Sequence, residues 1–118
     1  MQETTFLILT SLAGGSQHGY GIIQDVGRIS HDRVTLRAGT LYAALDRLCA
    51  DGVIEVDREE VVEGRLRRYY RLTSDGSGQL QEEAERHRAA AAIALARLAS
   101  RRLGLSGGAA LSLMGGAA

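Results

Sequence analysis

Four arginines lie within seven consecutive residues: Arg65, Arg67, Arg68 and Arg71. A guanidinium group presents a planar fork of N–H donors that matches phosphate oxygens, so this cluster is suited to binding a phosphate backbone. The alternative is ion pairing with the acids that precede it, which are Glu55, Asp57, Glu59, Glu60 and Glu63. We expect both roles, divided between the two strand faces, with Arg65 and Arg67 binding phosphate and Arg68 open to either role.

A second set of candidates lies between residues 37 and 47. Thr40 is placed to bind a phosphate near a helix N-terminus, and Arg37 is a further phosphate candidate just before that helix. Thr40, Ala43, Ala44 and Arg47 are assigned to the side of this helix opposite its apolar stripe, and the small side chains there permit close approach to something large and flat. These positions therefore add a candidate binding surface to the arginine cluster.

Three larger side chains each fit two interpretations. Tyr42 is suited to contact a phosphate or a base edge, or instead to pack onto the preceding helix. Arg47 is suited to reach guanine or phosphate, or to pair with Asp46 or Asp51. Tyr20 is either a phosphate contact or a core tyrosine with a satisfied hydroxyl.

No catalytic or metal-binding constellation accompanies these residues in the sequence. The histidines, His18, His31 and His87, have no ligand spacing, and no Ser/His/Asp or Cys/His arrangement stands out. Cys49 is the single cysteine, which excludes an internal disulfide and a multi-thiolate metal site and suits an inert core thiol. We expect no enzymatic activity, no cofactor and no metal.

Composition bounds the class of protein. A chain of 118 residues predicts one domain that a partner subunit would help to stabilise. The formal net charge is zero, a weak argument against nucleic acid, but residues 64–71 carry +4 and residues 28–50 carry +2, while residues 51–63 carry −5. No apolar run reaches the roughly 20 residues of a bilayer span, so we expect no membrane association and a cytoplasmic location.

The elements that must position these residues begin with three helices. Apolar residues 6–13 precede Gly14 and Gly15, which end the first helix, and Ser16 is placed to cap a second helix that runs to Ile29. The third helix spans residues 38–51. Its apolar stripe consists of Leu41, Leu45 and either Leu48 or Cys49.

A β-hairpin and a long helix follow. Residues 53–58 and 65–72 have strand character, with Glu63-Gly64 in the connection, and Thr73 is placed to cap a helix that runs to about residue 102. The result is mainly α with a small hairpin: a winged helix-turn-helix over residues 1–73, whose third helix is presented to the major groove. A C-terminal dimerisation helix over 74–103 and a disordered tail over 104–118 complete the expected organisation.

The long helix carries an apolar seam that predicts a partner helix. At roughly 42 Å it exceeds what so small a domain covers by itself, so we expect a homodimer. The seam consists of Leu80, Ala84, His87, Ala91, Leu95 and Leu98.

Four sequence motifs, in this order and spacing, resemble those of the PadR family of transcriptional regulators. They are His18-Gly19-Tyr20-Gly21-Ile22, Gly39-Thr40-Leu41-Tyr42-Ala43-Ala44-Leu45, Leu48-Cys49-Ala50-Asp51-Gly52-Val53-Ile54 and Tyr69-Tyr70-Arg71-Leu72-Thr73-Ser74-Asp75-Gly76. The resemblance extends from about Thr4 to Leu98, and the single C-terminal helix looks like the short subfamily. It departs modestly at Ala43, where the family often has Pro, and near Cys49, where it often has an acid.

The resemblance implies a homodimeric repressor that binds an imperfect palindrome and is released by a small molecule. Some relatives hold flat aromatic drugs between the last and first helices, which implies an effector pocket at Phe6, His87 and Ala91. The alternative for His87 is a partly exposed histidine beside Glu83. The alternative for the whole protein is a winged-helix protein–protein interaction module without DNA binding, motivated by the zero net charge and the acidic hairpin strand.

Overall fold

The computed structural model describes residues 1–104, which form four helices and a three-stranded antiparallel sheet of order β1-β3-β2. The helices are α1 (Glu3–Ala13), α2 (Gly19–Ile29), α3 (Ala38–Ala50) and α4 (Ser74–Arg102), and the strands are β1 (Gln17–His18), β2 (Ile54–Val62) and β3 (Arg65–Leu72). The winged helix-turn-helix with a long C-terminal helix is confirmed. No helix within residues 1–104 is both long and apolar enough to cross a membrane.

The start of α2 differs from the expectation. Ser16 does not cap this helix; its N-cap is His18, without a side-chain cap hydrogen bond. The Ser16 hydroxyl donates instead to Asp57 Oδ2 at 2.7 Å, and Gln17 pairs with Tyr70 in β3. The connection between α1 and α2 therefore contains the strand β1, and α2 begins directly after it.

The core of the winged unit draws fully buried side chains from α1, α2, α3 and β2. They include Ile8, Leu9, Ile22, Val26, Leu41, Leu45 and Ile54. The α3 stripe is confirmed, with Leu48 buried and Cys49 only half-buried. The assignment of Ala44 to the side opposite this stripe is wrong, because Ala44 is buried together with the leucines. The exposed residues of α3 include Thr40, Tyr42, Ala43, Asp46 and Arg47.

The hairpin turns tightly at two residues with positive φ, Glu63 (52°) and Gly64 (76°). Two central residues in this region make a type I′ turn, whose twist matches that of the flanking strands. Further along, the register shifts between Val56 and Arg58, which leaves Asp57 as an extra residue in β2. Asp57 accepts hydrogen bonds from Ser16 and from Arg71 Nη1 at 2.7 Å, and the Ser16 hydroxyl is the largest cause of its lowered pKa.

The first turns of α4 belong to the winged unit. One compact unit covers residues 1–83 and a second begins at Ala84, so the compact unit extends beyond the expected division at residues 73 and 74. Thr73 caps α4 as expected: the Gly76 N–H donates to Thr73 Oγ1 at 3.1 Å. Leu80 packs against the core. The expected tail, apart from Gly104, lies outside the described residues.

The Gly76 position tests this packing. A Cβ there would collide with the backbone carbonyl of Val53, whereas a Cβ on Gly78, half a turn away, meets no atom within 4 Å. We expect Gly76→Ala to lower the free energy of unfolding by about 1–3 kcal/mol or more through overpacking. Gly78→Ala should raise it by up to ~1 kcal/mol through helix propensity. Urea unfolding followed by circular dichroism measures both, and equal effects of the two substitutions would contradict the packing described.

Candidate nucleic-acid interface

A groove of about 840 Å³ lies between the N-terminus of α2, the exposed side of α3 and the hairpin. From α2 it receives Tyr20, and from α3 it receives Tyr42 and Asp46. The hairpin contributes Arg65, Arg67 and Arg68 along one wall. The structure therefore brings together five of the nine residues that the sequence analysis assigned to DNA.

A glycine at the start of α2 makes room for one of the two groove tyrosines. A Cβ on Gly19 would lie 2.5 Å from the hydroxyl oxygen of Tyr42, so the absent side chain lets Tyr42 lie across the start of α2. Tyr42 thus packs onto the second helix, yet 48% of it stays exposed. Tyr20 is 64% exposed, which excludes the buried core tyrosine of the alternative interpretation.

The hairpin arginines divide by position along β3. Arg68 pairs with Glu59 at 3.4 Å, and Arg71 pairs with Glu55 at 2.9 Å and Asp57 at 2.7 Å. Within residues 1–104, no carboxylate forms a salt bridge with Arg65 or with Arg67. The expected division of the arginines by strand face is wrong. Arg65, Arg67 and Arg71 lie on the same face of β3, yet of these three only Arg71 pairs with carboxylates.

The register of the hairpin explains which arginines stay unpaired. Arg71 lies opposite Glu55, whereas Arg65 lies opposite Val62, which has no charge to offer. Arg67 lies opposite Glu60, but the Glu60 carboxylate accepts a hydrogen bond from the Tyr69 hydroxyl at 2.6 Å. The turn end of β3 therefore presents two guanidinium groups without a carboxylate partner.

Arg68 reaches the groove from the other side of the strand. Its pKa is raised first by polar contact with the Tyr70 hydroxyl and then by the charge of Glu59. Tyr70 is buried, and desolvation raises its own pKa. Arg68 is thus held by two partners, the Tyr70 hydroxyl and the Glu59 carboxylate.

His18 also lines the groove, and its ring contacts the Tyr69 ring of β3. Its imidazole meets the Tyr69 ring edge-on at 5.4 Å between centroids, and the Arg58 guanidinium lies 3.9 Å from the centroid of the Tyr69 ring. Burial, and then the positive charge of Arg67, lower the pKa of His18, with Glu60 opposing them. Among the described residues, no three histidine, cysteine, aspartate or glutamate side chains are placed to hold a metal ion.

The other four assigned residues lie outside the groove lining. Arg37 and Thr40 are exposed at the N-terminus of α3, and Ala43 is exposed one turn later. Arg47 donates from Nη2 to Thr5 Oγ1 on α1 at 3.4 Å, and it forms neither of the expected pairs with an aspartate of the described chain. The DNA-binding roles of these four residues, like those of the five in the groove, stay predictions.

Two residues that line the groove were not expected there from the sequence. Asp46 was considered only as a partner of Arg47, and Leu66 only as a strand residue, yet both line the groove. The alternation of β3 was the available signal for Leu66, because it places that side chain on the same face as Arg68.

The residues assigned to the dimer seam and effector fall in both units. In the winged unit, Phe6 and Leu80 are half-buried against the core. In the second unit, the assigned seam residues are exposed: Ala84, His87, Ala91, Leu95 and Leu98. Their roles in dimerisation and effector binding stay predictions.

The Arg67–His18 interaction gives a pH-dependent prediction. Removing a positive charge favours the protonated imidazole, so Arg67→Gln should raise the pKa of His18, measured by NMR titration of its ring protons. Because the pKa of His18 in the folded protein lies below the ordinary 6.5, the imidazole of the unfolded chain is protonated first as pH falls. His18 therefore makes the free energy of unfolding decrease as pH drops below about 6.5. Arg71→Gln is the control; a larger rise with it than with Arg67→Gln would contradict the assignment.

Comparisons with known proteins agree with this geometry. The model of the Transcriptional regulator PadR-like family matches residues 8–82. The chain is 42% identical over 76 residues to Transcriptional regulator Rv3488 of Mycobacterium tuberculosis. The aligned residues make up 64% of this chain and 67% of that protein. It is 34% identical over 76 residues to Uncharacterized protein X of Lysinibacillus sphaericus, covering 64% and 70% of the two chains.

Solved structures share the fold. A PadR family transcription regulator from Clostridium difficile R20291 matches with a TM-score of 0.68 at 24% identity, covering 82% of this chain and 99% of that one. Bacillus subtilis PadR, solved in complex with operator DNA, matches with a TM-score of 0.64 at 22% identity, covering 71% and 48%. From the family match and the curated relatives, the chain belongs to the PadR-like family of transcriptional regulators.

Proposed function

We propose that this protein is a homodimeric, sequence-specific DNA-binding repressor that recognises a palindromic operator and is released by a small-molecule effector. The observation that carries the proposal is the groove in which Arg65 and Arg67 stand without carboxylate partners beside the exposed side of α3. The operator complex of Bacillus subtilis PadR, a protein of the same fold, supports DNA as the ligand.

The exposed side of α3 is the reading surface in this proposal. Leu41 and Leu45 bury the opposite side, so the helix is rigidly seated and presents Tyr42 and Ala43 outward. A helix 10–12 Å across fits a major groove about 12 Å wide, and a small residue such as Ala43 permits close approach. Thr40 and Arg37 at the helix N-terminus then meet the phosphates that border that groove.

The hairpin supplies the phosphate contacts. An arginine that already has a carboxylate partner exchanges one ion pair for another when it binds phosphate, so the net gain is small. Arg65 and Arg67 have no such partner to lose, whereas Arg68 must leave Glu59. We therefore expect Arg65 and Arg67 to contribute most to the salt-dependent affinity.

Exposed apolar residues of α4 beyond Ala84, among them Leu95 and Leu98, support the proposed dimer. A palindrome is read by two copies of the same head, because protein two-fold symmetry mirrors that of the site. In this proposal the seam residues Leu95 and Leu98 pack against their equivalents, and an effector at Phe6, His87 and Ala91 changes the separation of the heads. Heads out of register lose affinity for the palindrome, which is a population shift between dimer geometries.

The DNA proposal is tested by selecting duplexes from a random-sequence library with the purified protein. We expect enrichment of a palindrome with half-sites one or a few helical turns apart. Arg67→Gln should weaken binding to the selected duplex about tenfold and reduce the slope of log K against log salt by about one. The control Arg71→Gln removes an equal charge that Glu55 and Asp57 already neutralise, and should leave the slope nearly unchanged.

Two outcomes would overturn the DNA proposal. One is the absence of salt-dependent binding at micromolar protein to any library duplex. The other is an equal loss of slope with Arg67→Gln and Arg71→Gln, which would assign the effect to net charge alone. Capture of a protein partner that survives Arg67→Glu would favour the interaction module instead.

The dimer proposal has its own matched pair. At 100° per residue, Leu95 lies on the proposed seam and Ile93 on the opposite side of α4. Both are exposed large apolar residues in the isolated chain. We expect Leu95→Asp to give a monomer in analytical ultracentrifugation and Ile93→Asp to leave the dimer intact. A dimer that survives Leu95→Asp, or that Ile93→Asp disrupts, would show that the seam lies elsewhere.

A further inference from the structure

An acidic side chain, Asp46, lies on the exposed side of α3 and lines the groove. At about 100° per residue, it lies roughly 140° around the helix from Leu41 and roughly 160° from Leu48, which are buried in the core. Its neighbours one turn away on the exposed side, Ala43 and Ala50, are alanines. The Asp46 side chain therefore projects from this surface beyond the alanines.

No contact within the described part of the chain accounts for an acid at this position. Within residues 1–104, the Asp46 side chain forms no salt bridge and no hydrogen bond. Arg68, which lines the same groove, pairs with Glu59, and Arg47 donates to α1. Aspartate is also among the poorer helix formers, so helix stability does not explain its presence. The carboxylate is thus available to a ligand.

The chemistry of a carboxylate excludes most of a DNA duplex as its contact. An ionised carboxylate only accepts hydrogen bonds, so it is repelled by phosphate oxygens and by the major-groove acceptors of guanine and thymine. The donors in the major groove are the amino groups adenine N6 and cytosine N4. Adenine presents its N7 acceptor beside N6, whereas cytosine itself presents no acceptor beside N4. Cytosine is therefore the base edge that best matches Asp46.

We propose that Asp46 selects a cytosine in each half-site by accepting a hydrogen bond from its N4 amino group in the major groove, and that it disfavours duplexes that lack this cytosine. The proposal rests on the DNA-binding function proposed above and names a specificity-determining residue of α3. The arginines of the hairpin attract any phosphate backbone, whereas a carboxylate on the reading surface gains a partner only at a matching base. On another sequence the carboxylate loses its water and meets acceptors, which weakens the complex.

Selection from a random-sequence library with the wild type and two matched variants tests the inference. Asp46→Ala removes the acid from the groove, and Asp51→Ala removes an equal charge at the exposed C-cap of α3, outside the groove lining. We expect the wild type and Asp51→Ala to select the same half-site, with cytosine at one position, and Asp46→Ala to accept any base there. Replacing that cytosine pair should weaken binding about tenfold for the wild type and less than about twofold for Asp46→Ala. Circular dichroism melting of each variant monitors the fold.

A modified base tests the hydrogen bond itself. N4-methylcytosine at the selected position keeps its pairing with guanine and carries a methyl group in place of the N4 hydrogen in the major groove. We expect this duplex to bind the wild type about tenfold more weakly than the unmodified duplex does, because the donor to Asp46 is lost. Asp46→Ala should bind the two duplexes equally.

Three results would overturn the inference and leave the DNA proposal standing. They are equal base preferences of the wild type and Asp46→Ala, a preference for adenine in place of cytosine, and a preference lost equally with Asp51→Ala. The last would assign the effect to the charge or stability of the helix. A wild-type protein that selects no sequence would overturn both proposals.

Discussion

The antiparallel pairing of β1 with β3 is the constraint on which the candidate site depends. Two residue pairs, Gln17 with Tyr70 and His18 with Tyr69, fasten the connection between α1 and α2 to the middle of the sheet. Gly19 follows immediately and begins α2, so the same pairing places Tyr20 beside the hairpin and the start of α2 beneath Tyr42. The β1–β3 pairing therefore brings the start of α2 and the hairpin together as two sides of one groove.

Polar contacts reinforce this pairing at the other end of the hairpin. Asp57, set apart by the register shift in β2, accepts from Ser16 in the connection and from Arg71 in β3. The Ser16 hydroxyl lowers the pKa of Asp57 and so favours the charged carboxylate that makes these contacts. Glu55 and Asp57 thus hold the base of the hairpin through Arg71, while Arg65 and Arg67 near its turn have no carboxylate partner.

The sequence predicted the parts of the fold that have a period. The apolar spacing of Leu41, Leu45 and Leu48 defined α3, and the alternation around Glu63-Gly64 defined the hairpin. A two-residue strand has no period to detect, so β1 was missed. Ser16 was therefore expected to cap α2, whereas its hydroxyl donates a hydrogen bond to Asp57. Ala44 shows a related difficulty, because an alanine fits either side of a helix and only tertiary packing decides.

The candidate site was predictable by residue type but not by partner. Four arginines in seven residues indicated an anion surface, while their division into paired and unpaired groups depends on register. One extra residue in β2 places Glu55 opposite Arg71, and a tyrosine hydroxyl occupies the acid opposite Arg67. Neither fact leaves a local pattern in the sequence, since both depend on which residues of two strands meet.

The same register gives the zero net charge a physical meaning. Four of the 14 acidic residues lie on β2, where they already contact Arg58, Arg68 and Arg71. Within the hairpin, the arginines without a carboxylate partner are therefore Arg65 and Arg67, at the turn end of β3. A chain without excess positive charge has little long-range attraction for an arbitrary polyanion, because its opposite charges cancel at a distance and salt screens each of them beyond a Debye length of about 8 Å. Close contact is then required before the unpaired arginines act. Such a distribution favours a ligand that matches the groove in shape over one that offers charge alone.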